Sequence, residues 1–231
     1  MNLEFFIARR TACATPENRP GVMSRIAVIS VAVSVAVMLV ALAVIFGFKR
    51  EVTARMVGFS APVEVIDAAG IYAAESQPVA ATPQIETLLR SVEGVRSVSP
   101  YALKSGIVRT REAMDGVALK GVDGSYDWSF FAGRLTEGTL PRVGDSVRTK
   151  ELLLSARTAR LLGLHAGDKV EMLFVASDET PRRDRFKVSG VYSTGMEELE
   201  RTAFTDLRNV QRLSGWSSGE VSGYDLYADD V

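Results

Sequence analysis

Residues 26–48, IAVISVAVSVAVMLVALAVIFGF, contain no charged side chain and are bracketed by Arg25 on one side and Lys49-Arg50 on the other. At about 1.5 Å of rise per residue, a helix over this stretch reaches roughly 35 Å, enough to cross a hydrocarbon core with modest tilt. Only Ser30, Ser34 and Gly47 interrupt the apolar run, and a helix satisfies its own backbone polar groups away from water. A buried helix of a soluble protein rarely runs this far without a charge. A cleaved secretory segment is the sharper rival, because Ala41-Leu42-Ala43 resembles a small-residue cleavage site. Secretory cores run about 7 to 15 residues, whereas this one continues through Val44-Ile45-Phe46. The stretch reads as a transmembrane helix. Ala27, Ser30, Ser34 and Ala41 fall near one of its faces, and small residues at that spacing let another membrane helix approach closely.

This span divides the chain into an N-terminal segment (1–25), the membrane helix (26–48), a stalk (49–61) and a core domain (62–231). The stalk, KREVTARMVG onward, keeps a helical pattern until Gly58 and Pro62 end it. Arg9, Arg10, Arg19 and Arg25 precede the span, and Lys49, Arg50 and Arg55 follow it. That slim bias, together with a long charge-balanced domain after the span, places the N-terminus inside and residues 60–231 outside. Residues 2–10 set Leu3, Phe5, Phe6 and Ile7 beside Arg9-Arg10, the pattern of a short interfacial helix.

The net charge of −1, from 27 basic and 28 acidic residues, provides no basic field for nucleic acid. Cys13 is the only cysteine, so no internal disulfide can form, and the polar residues before it do not suit a lipid attachment site. The exported domain must therefore be held by its core alone. His165 is the only histidine; with no second one to complete a zinc site, it reads as a surface residue in a turn.

Within the domain, residues 63–66 alternate as a strand. Thr82-Pro83 opens a helix whose apolar face is Ile85, Leu88, Leu89 and Val92, stopped by Gly94. Residues 95–99, 102–110 and 116–122 are predicted as successive strands, the last two joined around residues 112–115. The aromatic run Trp128-Ser129-Phe130-Phe131 reads as core packing. Residues 151–154 form a strand feeding a helix capped by Ser155, in which Ala159, Leu161 and Leu162 pack and Gly163 terminates. Residues 170–175 and 185–192 make a long hairpin with a charged tip at 176–184. Asp178, Glu179, Pro181, Arg182 and Arg183 of that tip are candidates for gripping a partner. A helix over 206–213, closed by Gly215, and a strand over 221–228 complete an α+β domain.

Catalytic motifs are wanting. Gly215-Trp216-Ser217-Ser218-Gly219 has the spacing of a hydrolase elbow, but that elbow needs a strand before it and a helix after it. Here the order is reversed, and no histidine follows. Asp123-Gly124-Ser125-Tyr126-Asp127 lacks the spacing of a calcium loop. Neither nucleotide-phosphate loop, Gly-x-x-x-x-Gly-Lys-Ser/Thr nor Gly-x-Gly-x-x-Gly after a strand, is present. No enzyme activity or cofactor is expected, and any energy used must come from another chain.

Several segments in order resemble one family. Phe6-Ile7-Ala8-Arg9, then Ile26-Ala27-Val28, is similar to its opening, and Phe46-Gly47-Phe48-Lys49-Arg50-Glu51 to its exit from the membrane. Leu119-Lys120-Gly121-Val122-Asp123 looks like its characteristic strand. Leu154-Ser155 through Leu162-Gly163-Leu164, with Gly167-Asp168-Lys169-Val170, matches its strand–helix–strand unit. Residues 186–195 and Asn209-Val210-Gln211-Arg212-Leu213 fit as well. The family is that of permease subunits of lipoprotein-releasing ABC transporters, within the wider group of macrolide-exporter and division-type permeases. The resemblance implies a bacterial inner-membrane location, a cytoplasmic N-terminus and a periplasmic domain moved by ATP hydrolysis in a partner subunit that binds the ATP. It further implies a second permease copy or homologue, and a periplasmic lipoprotein carrier docking on a protruding hairpin, a position matched here by residues 176–184. Permeases of that family carry three more membrane helices after the domain, so the chain is expected to be an N-terminal portion. The alternative is a single-span anchored interaction or scaffold protein that needs no ATPase.

Overall fold

A computed structural model describes residues 3, 4, 6, 7, 22–68, 76–175, 181–197 and 199–228. The chain divides into two compact units, Met1–Ala54 and Arg55–Val231. Cys13 and most of the proposed interfacial segment lie outside the described residues.

Helix α1 (Val22–Phe59) supplies most of the first unit and the opening of the second. Its stretch Arg25–Val52 has a mean hydropathy of 3.0 and none of it is buried within the protein. It is therefore long and apolar enough to cross a membrane. Ala27, Ser30, Ser34 and Ala41 are all exposed. At about 100° per residue they lie within roughly 60° of one another around the axis. The Ser34 hydroxyl donates to the Ser30 carbonyl at 2.8 Å, the usual way a helix hides a hydroxyl from an apolar medium.

Among the described residues the second unit is α+β, built on one nine-stranded sheet. In chain order its strands are β1 (Val63–Ile66), β3 (Val95–Arg109), β4 (Met114–Val122), β5 (Leu135–Gly138), β6 (Glu151–Ser155), β7 (Lys169–Val175), β8 (Pro181–Tyr192), β9 (Thr202–Asp206) and β11 (Gly223–Ala228). Short β2 (Val79–Ala80) and β10 (Glu220–Val221) pair separately. The order across the sheet is β1-β11-β3-β4-β9-β6-β8-β5, while β7 pairs with both β3 and β8. Those last two pairings close a circuit, β3-β4-β9-β6-β8-β7 and back to β3; residues 107–109 of β3 thereby have ladder partners on both sides, whereas residues 181–186 of β8 pair with β7 alone. Pairings β4–β9 and β6–β8 are parallel and the others antiparallel.

Among the described residues, four short helices join the sheet: α2 (Pro83–Arg90), α3 (Ser129–Ala132), α4 (Ala156–Leu162) and α5 (Leu207–Ser214). Their starts follow from capping chemistry. Thr82 accepts from the Ile85 N–H, Ser155 from Thr158 and Asp206 from Arg208. Gly163 and Gly215 close α4 and α5 in the left-handed conformation. One core holds Leu119, Leu152, Leu154, Met172, Phe174, Phe186 and Val188 with Leu162 of α4 and Val210 and Leu213 of α5. A second, aromatic core lies around Phe131, Tyr192 and Phe204.

The structure corrects several sequence expectations. Residues 95–109 form one strand, not two. Pro100 is tolerated because β3 has a single neighbour there: it pairs with Tyr224 of β11, and β4 joins only from Tyr101 onward. Leu161 is half exposed rather than packed, and Thr158 takes the buried place it was expected to fill. On α2 only Ile85 and Leu89 reach a core; Leu88 and Val92 face outward, Leu88 at 67% exposure. The strand expected over 221–228 breaks at Ser222, whose hydroxyl accepts from the Leu103 N–H. Finally, β8 begins at Pro181, so residues 181–184 of the expected charged tip belong to the strand, and residues 176–180 lie outside the described residues.

Candidate functional site

Two places in the second unit bring the sequence-predicted residues together with buried groups. The first is the foot of α1. Gly58 lets the helix end come close to Phe130: a Cβ there would lie 2.3 Å from the ring. Phe59 follows, 7% exposed, with its ring centroid 5.9 Å from Phe131, 5.9 Å from Phe204, 6.2 Å from Phe130 and 6.2 Å from Tyr192. Phe131 and Phe204 are themselves 4.8 Å apart, and Trp128 stacks edge-on against Tyr126 at the same separation. The Tyr192 hydroxyl donates to the Thr202 carbonyl at 2.7 Å, and the Arg134 guanidinium lies over the Phe130 ring at 4.0 Å. The aromatic run 128–131 thus forms the socket for the last residue of α1, as sequence reading expected of core aromatics. Immediately after Phe59, β1 lays itself along β11 from Val63↔Leu226 to Ile66↔Gly223. Helix end and following strand are fixed to the same sheet by ring packing and by ladder hydrogen bonds.

Beside this foot lie two buried polar groupings that no sequence pattern announced. Lys120 Nζ sits 2.6 Å from the fully buried Asp225 carboxylate and 4.4 Å from the Tyr101 ring. Burial pushes the Asp225 carboxyl up, against the opposing pull of Lys120. Burial, then Glu64 and Asp225, raise the Tyr101 hydroxyl. Such a pair costs stability to desolvate, and losing one member costs more than never having had the pair. The second grouping centres on Glu200. Its Oε1 accepts from Ser193 Oγ (2.9 Å), the Thr194 N–H (2.8 Å) and the Gly195 N–H (3.3 Å), and its Oε2 from the Arg157 N–H at 3.2 Å. Burial alone would raise this carboxyl; the donors around it outweigh burial and hold it below the ordinary carboxylate value.

The segment Leu119-Lys120-Gly121-Val122-Asp123 acquires a physical meaning here. Leu119 enters the aliphatic core, Lys120 pairs with Asp225, and Val122 enters the aromatic core. Gly121 admits α5, since a Cβ would stand 2.8 Å from Val210 and 2.9 Å from the Leu207 backbone. Asp123 Oδ1 accepts from the Ser125 N–H to turn the chain.

The second place is the base of the β7–β8 hairpin. Pro181 stands opposite Val175, Arg182 opposite Phe174 and Arg183 opposite Leu173. Asp178 and Glu179 lie outside the described residues. Of the others, Arg182 is directed to the α5 end, its guanidinium 3.5 Å from the Leu213 carbonyl, whereas Pro181 and Arg183 are exposed on the strand. Asp184 is buried between Lys150, at 2.5 Å, and Arg212. The three described candidates therefore do not share one direction: Arg182 turns to α5, and Pro181 and Arg183 face outward.

The remaining sequence motifs are structural. Ser217 of the Gly-x-Ser-x-Gly run donates both its N–H and its hydroxyl to Glu220, closing a turn ahead of β10. His165 is exposed, 3.3 Å from Glu137. Among the described residues no group of three or more His, Cys, Asp or Glu side chains gathers as for a metal.

Comparison with known proteins agrees with the sequence resemblance. Curated relatives include the lipoprotein-releasing system transmembrane protein LolC of Xylella fastidiosa, 26% identical over 90% of this chain and 51% of that protein. LolE of Haemophilus influenzae is 22% identical over 100% of this chain and 56% of its own length. LolC of Neisseria meningitidis serogroup B is 26% identical over 99% and 55%. The chain thus spans about half the length of the curated relatives it matches. Similar solved structures are the extracellular domain of the noncanonic ABC-type transporter YknZ from Gram-positive bacteria (16% identical, 73% of this chain and 82% of that one, TM-score 0.48) and the periplasmic region of MacB from Actinobacillus actinomycetemcomitans (17%, 66% and 68%, 0.44). The MacB-like periplasmic core domain description matches residues 24–229, and the chain belongs to that family.

Proposed function

We propose that this chain supplies the first membrane helix and the periplasmic core domain of a permease subunit in an ABC transport system that releases lipoproteins from the bacterial inner membrane. ATP is bound and hydrolysed by a separate subunit, and a second permease copy or homologue completes the membrane part. The observation that carries this reading is the family match running from the apolar helix through the whole core domain. The names of the LolC and LolE relatives support the lipoprotein cargo. The N-terminus lies in the cytoplasm and the domain in the periplasm. Movement of α1 reaches the domain through Phe59 in its aromatic socket and through β1 on β11. A soluble carrier for the released lipoprotein docks at the β7–β8 hairpin, with Pro181 and Arg183 on its outer side.

The test is purification of the complete, tagged permease from native membranes in mild detergent. An ATP-hydrolysing subunit travelling with it, and lipoprotein release that depends on ATP, are the expected results. A permease that purifies without any ATPase, and whose deletion leaves lipoprotein sorting intact, points instead to an anchored scaffold.

A further inference from the structure

On the outer face of β3, β7 and β8, side chains line up in rows across the strands. Arg109 pairs with Glu171, and Glu171 with Arg185; one row on, Lys169 pairs with Lys187. Strands stand about 4.8 Å apart and same-face residues about 7 Å apart along each strand, so this is a compact patch rather than a spread of surface charge. Arg109, Arg111, Lys169, Arg183 and Arg185 line a cleft of about 460 Å³ there, with Glu171 as its one carboxylate. Among the described residues, none of these five cations is held in an ion pair, in contrast to Lys150, Arg157 and Arg212 nearby. Five positive charges around one negative charge repel each other unless an anion joins them.

We propose that this cleft binds a phosphate-bearing ligand. A phosphate offers three acceptor oxygens to donors arriving from several sides, and the guanidinium fork suits it. An extended acidic peptide is the poorer fit. At residues 107–109 β3 has β4 on one side and β7 on the other, and residues 171–173 of β7 are laddered on both edges, so a peptide could add only along residues 181–186 of β8, on the side away from β7 and two strands from Arg109. Glu171 limits affinity from within the cleft, so removing its charge strengthens binding. The phosphate comes either from a lipid headgroup or from a free phosphate compound. The inference does not depend on the transport reading.

The experiment uses the full chain in phosphatidylcholine nanodiscs with two probes, pyrophosphate by titration calorimetry and vesicles containing phosphatidylglycerol by surface capture. Binding is expected to fall about tenfold or more in Arg183→Ala/Arg185→Ala and to rise severalfold in Glu171→Gln. The second variant separates loss of the site from loss of the fold, because a damaged fold does not gain affinity. Vesicle capture competed by pyrophosphate supports a headgroup as the source; pyrophosphate binding without capture supports a free phosphate. Absence of both, unchanged binding in the double variant, or capture of polyglutamate with no response to pyrophosphate overturns the proposal, the last in favour of an acidic protein.

Discussion

Phe59 is the residue on which the most contacts of the helix foot converge, and its removal leaves a void among rings that cannot all collapse into it. Phe59→Ala is expected to lower stability by about 3–5 kcal/mol, read by urea unfolding of the full chain in neutral detergent through tryptophan fluorescence. Glu200 makes a prediction of a different kind. Its folded carboxyl is held below the unfolded value, so its contribution is present above about pH 4, the unfolded range, and is lost as pH falls through the folded value. Glu200→Gln should therefore weaken the protein at neutral pH and flatten the acid limb of its stability profile, measured as unfolding midpoints from pH 7 down to pH 3. Neither Glu200 nor the Lys120–Asp225 pair was legible in the sequence. Glu200 is held by an irregular loop at 193–195 that has no repeating pattern and by Arg157, 43 positions away, and the pair joins β4 to β11. No local spacing encodes a contact made only by the finished sheet.

At the level of elements, what could be read was whatever local chemistry decides alone. The starts of α2, α4 and α5 were legible because Thr82, Ser155 and Asp206 each bond an N–H two or three residues on. Ser155 does more than cap: its hydroxyl also donates to the Glu200 carbonyl at 2.7 Å. Ser155→Ala should cost about 1–2 kcal/mol, while Ser155→Thr retains most of it; thermal unfolding of both variants decides. What could not be read was set by neighbours. Pro100 reads as a break until the pairing shows an unladdered side, and Leu161 reads as core until Thr158 is seen to occupy the inward direction. Arg182, Arg183 and Asp184 look like loop residues because three consecutive charges show no apolar alternation. In the sheet they are strand residues, two of them held to α5 through the Leu213 carbonyl and Arg212. Of the candidate grip residues, Pro181, Arg182 and Arg183 are therefore strand residues of β8.

For the molecule as a whole, the absence of charge in residues 26–48 and the ordered family segments were enough to anticipate a helix of membrane-crossing length ahead of an α+β domain. The closed circuit through β7 was not anticipated, since strand neighbours are not a local property. The central proposal is that α1 passes movement to the domain as a rod, through its foot at Phe59 and through β1. A flexible Gly-Ser segment inserted after Arg55 of the complete permease breaks the rod above its seat and leaves the aromatic socket intact. Measured side by side in proteoliposomes with the ATP-binding subunit, ATP hydrolysis should continue while lipoprotein release falls to background. Release at the unaltered rate in that variant contradicts the account.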